Sequence, residues 1–526
     1  MPRNWFNRPL PLPKISRSMQ DLHEDRLQTM RLSRLVPFGI QECLPHDLHM
    51  FSHDAFLRLA PLKYPVLQKL NLNMASFFVP NRLVLGEDKQ AELVSSLEPS
   101  DKLIPKLHLA SDPDGYDIAA IFFQPDGIAD YLGIEAQPHA SGAFDINNPL
   151  PFFEWLLILR DYYLDENLEQ DKIAIIDAAL EEYQSVDLGG TAYASGDPDD
   201  DPIGLAIRTF LSTGYHVAKY RDYFTAGLPT AQKGDDVYIM NPANVISAST
   251  GDPYGVTGSP DAVIRDAILA GNLDGTITKL GFDTTVRDLL TKMAYQRFKN
   301  QLQQFGTRYN EFLAGNFGVI NQDVRLQRAE CIGRSKGVFQ ISEIIQQSAT
   351  ESDSPLGSYA GKGISAKRTR NYRYYCNEHG FLFHLVSVVP DQGYTTGAPR
   401  WFYKESGLDF ALPQFNNVGE QPIWKGELFV DHETPSNNKT EFAYIPRYSE
   451  YRTGRSYASA GMRQAPFTAW HLFEGYDSTV ALNEEFIRAV DSDRIFNLVD
   501  PTSVQNVVGV FHSYHAAFRP ISNNPK

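Results

Sequence analysis

The chain is poor in cysteine. Only Cys43, Cys331 and Cys376 occur in 526 residues, and no CxxC pair exists. That argues against a disulfide framework and for a reducing compartment. No run of about 18 apolar residues is present, so no membrane insertion is expected. The opening Met1-Pro2-Arg3-Asn4-Trp5 lacks the apolar centre of a secretory leader, and an intracellular origin is expected. Positive charge is not in surplus. Lys and Arg number 48 against 64 acids, a net charge of −16. Such a balance argues against a protein covered in nucleic-acid-binding surface. No internal repeat or low-complexity tract occurs.

What is present points to β-structure. The chain holds 32 Phe, 26 Tyr, 37 Gly and 33 Pro, which fits many turns and long ordered loops better than a helical bundle. Its length suggests roughly three domains, although a large β-sandwich with insertions can run as long in one unit. From Leu35 to Leu85 the sequence reads as consecutive strands joined by proline turns. Leu70, Leu72 and Met74 alternate with Lys69, Asn71 and Asn73, the period of a half-buried strand. The alternation stops at Phe77-Phe78-Val79, where both faces are apolar. Both faces must then be covered, by the chain's own core or by a neighbouring subunit.

Residues 1–34 read as an extended arm, because Arg8-Pro9-Leu10-Pro11-Leu12-Pro13-Lys14 favours polyproline II and cannot join a central strand. Near Asn148-Pro149 the period changes, and Phe152 to Leu164 predicts a buried helix. Ile173 to Tyr183 predicts a second. Residues 86–147, 184–204 and 241–283 read as insertions, the last two rich in Gly, Asp, Pro, Ser and Thr. Thr225 to Gly234 predicts a fixed turn. A helix is predicted over Thr285 to Phe305, with Leu290, Ala294, Phe298, Leu302 and Phe305 on one face. Strand-like runs return at Val338–Ile345, Gly380–Val389, Ile423–Val430 and Glu441–Tyr448. Strands at both ends with inserted loops between them suit a Greek-key or jelly-roll sandwich.

The charge is uneven. Residues 1–34 carry seven Arg or Lys, Arg3, Arg8, Lys14 and Arg17 among them, against three acids. Residues 354–377 carry Lys362, Lys367, Arg368, Arg370 and Arg373 with no acid. Interleaved with Tyr372, Tyr374 and Tyr375, this second patch suits single-stranded nucleic acid, which offers phosphates and stackable bases. A strand with an alternating polar face explains it as well.

Other motifs carry less. Gly333-Arg334-Ser335-Lys336-Gly337 matches the GxSxG nucleophile elbow, but a strand-like run follows it where a helix is required, and a glycine-rich turn is expected. His46, His49 and His53 would share a helix face able to bind a metal, yet Pro45 and the strand pattern favour turn and surface histidines; His512 and His515 read similarly. Asp197, Asp199, Asp200 and Asp201 lack an EF-hand's glycine and glutamate and read as a solvated loop. Gly361-Lys362-Gly363 lacks Walker A spacing. No cofactor, no metal site and no catalytic residue is expected.

A set of ordered blocks is more specific. Val36-Pro37-Phe38-Gly39-Ile40-Gln41-Glu42-Cys43-Leu44-Pro45, Arg58-Leu59-Ala60-Pro61 and Phe77-Phe78-Val79-Pro80-Asn81-Arg82 open it. Thr225-Ala226-Gly227-Leu228-Pro229, Gln232-Lys233-Gly234, Gly306-Thr307-Arg308-Tyr309 and Phe317-Gly318-Val319 follow. Asp323–Gln327, Gln346–Thr350, Tyr448–Arg452 and Trp470-His471-Leu472 complete it. Together they resemble the major capsid protein of Microviridae, small single-stranded DNA phages, and most closely its gokushovirus side. The resemblance implies a mainly β protein: an eight-stranded antiparallel jelly roll, residues 35–526, with long insertions containing several helices. It implies self-assembly into the smallest kind of icosahedral shell and genome contact on the inner wall. It also implies an internal scaffolding protein, a minor pilot protein and a host-surface receptor as partners, with the protein in the virion and, during assembly, in the host cytoplasm. A surface protrusion is expected at 241–283. The competing expectation is a carbohydrate-binding or carbohydrate-active β-sandwich, a lectin, adhesin or glycosidase; but Glu181-Glu182 and Glu484-Glu485 are adjacent pairs, whose side chains point apart.

Overall fold

A computed structural model describes residues 17–95, 102–110, 117–136, 143–194, 201–231, scattered positions within 290–300, and 327–345, 359–416, 419–478, 480–489, 493–497 and 505–521. Two units are distinguished, Met1–Pro229 with Gln327–Lys526, and Thr230–Leu326.

The first unit is mostly antiparallel sheet. Its N-terminal strands are β1 (Ser18–Asp21), β2 (Glu24–Met30), β3 (Arg34–Cys43), β4 (Leu48–Leu59) and β5 (Leu70–Pro80). Short strands β6 (Lys106–Leu109), β7 (Phe144–Ile146), β8 (Thr191–Ala194) and β9 (Tyr215–His216) follow. The C-terminal set is β10 (Glu330–Val338), β11 (Gln340–Ile345), β12 (Tyr359–Arg368), β13 (Tyr372–Tyr375), β14 (Gly380–Pro390), β15 (Glu420–Trp424), β16 (Glu441–Pro446) and β17 (Val507–Arg519).

A seven-stranded sheet runs β1-β17-β4-β12-β11, with β2 also on β17 and β13 also on β4. A five-stranded sheet runs β10-β5-β14-β3-β9. Successive strands β2, β3, β4 and β5 alternate between the two, and the last long strand, β17, lies between β2 and β4. The sheets are pinned face to face by aromatic contacts. Phe38 of β3 stacks on Phe511 of β17 at 4.5 Å between ring centroids, and His53 of β4 meets His384 of β14 at 4.2 Å.

Sequence pattern explains the layers. In β4 the odd positions from His49 to Leu59 are buried, while Met50, Phe56 and Arg58 are exposed. β14 is buried along its whole length, so its apolar run does not alternate. Phe77 and Phe78 are both buried and face opposite ways. Phe77 lies 4.8 Å from Tyr162, at the end of the helix Leu150–Tyr162; Phe78 lies 5.2 Å from Tyr374 of β13. Both faces of β5 are thus covered within the chain rather than by a neighbour.

The helix expected near Asn148 is present, and the Asn148 carboxamide oxygen accepts from Leu150 N–H. The second is Gln170–Ser185. Parts of the segments at 86–147 and 184–204 pair with each other: β6 lies between antiparallel β7 and parallel β8. Residues 18–30, read as arm, form β1 and β2 on β17; Met30 is buried in the core, while Met19 and Leu27 stay exposed. Residues 1–16, 232–289 and 301–326 lie outside the described residues, and with them the 241–283 segment. Of the helix predicted at 285–305, the described positions between Leu290 and Asn300 are helical. The GxSxG run is neither elbow nor turn but part of β10, where Ser335 sits opposite Met74. Its glycines permit close packing: a Cβ on Gly333 would stand 2.1 Å from the Tyr372 ring.

Candidate nucleic-acid and assembly interface

Residues opposite each other in an antiparallel pair share a face, so the register of β4 maps the outward side of the seven-stranded sheet. Arg58 lies opposite Ile364 and Val508, Phe56 opposite Ala366 and Val510, Asp54 opposite Arg368 and His512, and Met50 opposite Arg373 and Ala516. Lys362, two residues before Ile364, is on the same face opposite Ser342. The fold therefore gathers Lys362, Arg368 and Arg373 on one face, and Arg370 is exposed in the turn between β12 and β13.

Aromatic rings interleave with these cations. The Arg368 guanidinium lies 5.3 Å over Tyr514 and its Nε is 3.4 Å from Asp54 Oδ1. Arg58, overlooked from sequence because it sits alone among apolar residues, lies 5.1 Å over Phe56. Arg17 joins the same end of the sheet: it hydrogen-bonds His46 at 2.6 Å and lies 5.3 Å over Tyr375, which faces outward opposite Leu48. Lys367 does not belong. It is half-buried on the inward side opposite Ala55, and its stem packs on Gly337, where a Cβ would stand 3.1 Å from Lys367 Cγ. Arg3, Arg8 and Lys14 lie outside the described residues. Cations among exposed rings can neutralise phosphates and stack bases.

A second surface is apolar. Trp401, Phe402, Leu408, Phe410, Tyr451 and Tyr457 are each more than half exposed. Lys404 Nζ sits 4.2 Å over Tyr451 and 5.4 Å over Phe410, joining them. Buried charges hold this surface from beneath. Arg400 Nη1 is 3.0 Å from Glu427 Oε1, and Lys404 Nζ is 3.3 Å from Glu450 Oε1. Burial raises the Glu427 carboxyl, opposed by Arg400 beside it. Sequence periodicity could not find this patch, because it lies on irregular backbone with short 3₁₀ turns. Exposed rings in such number mark a candidate interaction surface.

The remaining motifs are structural. His49, His53 and His515 are buried, not surface histidines, because they occupy inward positions of β4 and β17. Burial first, and His515 nearby second, pushes His53 down to about 3. His384, opposite Ser76, is likewise driven well below the ordinary range by burial. His46 is in a turn with φ of 77°. Asp201 caps a helix by accepting from Ile203 N–H; its companions Asp197, Asp199 and Asp200 lie outside the described residues. Glu484 bonds Arg488 and Lys172 rather than pairing with another acid across a cleft. No helix among the described residues is long and apolar enough to cross a membrane.

Comparison with known proteins gives these surfaces their setting. The chain matches the family described as capsid protein (F protein) over residues 10–524. It is 26% identical to capsid protein VP1 of Chlamydia phage 1, covering 93% of this chain and 91% of the relative. It is 26% identical to capsid protein VP1 of Bdellovibrio phage phiMH2K, covering 94% and 92%. To capsid protein VP1 of Spiroplasma virus 4 it is 22% identical, covering 97% and 95%. The class is thus a structural protein of the virion, a major capsid protein of a Microviridae-type bacteriophage. The chain belongs to the capsid protein (F protein) family.

Proposed function

We propose that copies of this chain close into the smallest kind of icosahedral shell around single-stranded DNA, with the outward side of the seven-stranded sheet turned to the genome. The observation that carries this is the collection of Lys362, Arg368, Arg370, Arg373 and Arg17 among Tyr514, Tyr375 and Phe56 on one side of an otherwise acidic chain. An eight-stranded jelly roll is supported by the two pairing orders β2-β17-β4-β12 and β3-β14-β5-β10, with the chain crossing between sheets. β1, β9, β11 and β13 are then additions to that frame.

The shell acts by burial, not by turnover of a substrate. The Trp401–Phe410–Tyr451 surface lies between subunits. Obligate interfaces bury upwards of about 2,000 Å², and closed symmetry leaves no edge to aggregate. The capsid domain takes in β1 and β2 together with residues 35–526 and its insertions, and the 241–283 segment is the surface protrusion. Assembly in the host cytoplasm with an internal scaffolding protein, a minor pilot protein in the particle and a receptor on the host surface complete the proposal. Light scattering of the chain co-expressed with its scaffolding protein tests it. A shell-sized species supports assembly; a stable monomer near 59 kDa contradicts it.

A further inference from the structure

The three side chains most separated from any surface role meet at one end of the sandwich. Cys43 ends β3, His49 opens β4, and Cys376 follows β13. All three are fully buried, and one ligand atom of each lies within 4.8 Å of the others. In a tetrahedral zinc site with two sulfurs and an imidazole, the donor atoms stand about 3.5–3.8 Å apart. The side chains need close by only about 1 Å. We propose that Cys43, Cys376 and His49 hold a structural zinc ion.

Several observations point to a ligand rather than to plain packing. His49 Nδ1 is hydrogen-bonded to His515 Nε2 at 2.9 Å. The bond is satisfied when His49 Nδ1 carries the proton, and that tautomer leaves the Nε2 lone pair free; a metal-bound imidazole needs such an outer partner. His49 Nε2 is buried and makes no hydrogen bond, although Asp47 Oδ2 is 3.4 Å away. Asp47 is itself fully buried, and its Oδ1 has no partner. An unpartnered imidazole nitrogen in a fully buried position is costly unless something meets it.

The charges also balance. Asp47 Oδ2 is 3.2 Å from Arg519 Nε, so carboxylate and guanidinium already cancel. Two thiols that lose their protons as one zinc ion enters add no net charge. Phe78 and Leu382 form an apolar wall, which excludes water. Backbone bonds hold the ligand loops together: His46 N–H donates to Cys376 C=O at 2.8 Å, and Cys376 N–H donates to Asp47 C=O at 2.9 Å. The metal would therefore clamp the β3–β4 turn to the β13–β14 turn. Full burial of all three ligands leaves no path for a substrate, so the site is structural rather than catalytic. Soft thiolates with imidazole favour zinc over calcium or magnesium.

Elemental analysis of the purified full-length protein, after dialysis against metal-free buffer, tests this. About one zinc per chain is expected, falling at least tenfold in Cys43→Ser and in Cys376→Ser and unchanged in Cys331→Ser. A guard against misfolded variants uses the wild type alone: cobalt(II) added to zinc-stripped protein should give the thiolate-to-cobalt charge-transfer absorption of a tetrahedral site. Wild type with less than about 0.1 zinc per chain and no such absorption would overturn the proposal, as would zinc retained in both serine variants.

Discussion

Replacing Lys362, Arg370 and Arg373 together by glutamine should weaken single-stranded DNA binding in a way that salt reveals. The choice follows from exposure. These three cations are exposed, whereas Arg368 shares its charge with Asp54 and Lys367 is packed on Gly337. Binding to single strands falls with salt with a slope of about −0.7 per neutralised phosphate. If each cation meets one phosphate, the plot of log affinity against log salt should flatten by about 2 in the triple variant. Fluorescence anisotropy of a labelled oligonucleotide over a salt series measures it. Lys367→Gln serves as the control and should leave the slope unchanged. In assembled particles, the triple variant should lose more packaged DNA than shell yield. An unchanged slope with unchanged DNA content would refute a genome-facing role for this side of the sheet.

Phe511→Ala should destabilise the subunit by about 3–5 kcal/mol, since the ring is fully buried and stacks on Phe38 between the sheets; urea unfolding with a loss under about 1 kcal/mol would contradict that packing. Acid should also weaken the fold. His53 and His384 have folded values below the unfolded value of about 6.5, so the unfolded state binds more protons as pH falls through that value. Their stabilising share is complete above about pH 6.5 and is lost as pH falls below it, towards about pH 3 for His53, with a slope of roughly 1.4 kcal/mol per pH unit for each. Unfolding midpoints flat between about pH 6.5 and 5 would exclude this linkage. Trp401→Asp with Phe410→Asp should leave the subunit folded by circular dichroism and abolish particles in sedimentation; normal particle yield would remove that surface from the interface.

Much of the frame was legible in the chain. The breakdown at Phe77-Phe78-Val79 announces a strand covered on both sides, and Phe152–Leu164 a buried helix; the alternation at Leu70–Met74 promises a solvent face, but Asn71 is buried and bonds Asp391. The identity of the covering layer was not legible, because it depends on Tyr162 and Tyr374, far away in sequence. The basic patch was visible as composition, but its face was not. A turn at 369–371 between β12 and β13 separates Lys367, turned inward, from Arg373, turned outward. Arg58 and Tyr514 join only through cross-strand register. The buried histidines read as surface groups in the sequence because a half-polar strand at 48–59 gives no sign of which alternate positions meet a second sheet. The apolar surface at 401–457 has no period to read. Cys43, His49 and Cys376 show no ligand spacing, since two separate turns bring them together.

Electron cryomicroscopy of the purified assembly tests the shell most directly. A closed icosahedral particle is predicted, with Trp401 and Phe410 buried between subunits and Lys362 and Arg373 facing internal density. Discrete single subunits, or a shell with those cations on its outside and those rings bare to solvent, would contradict it.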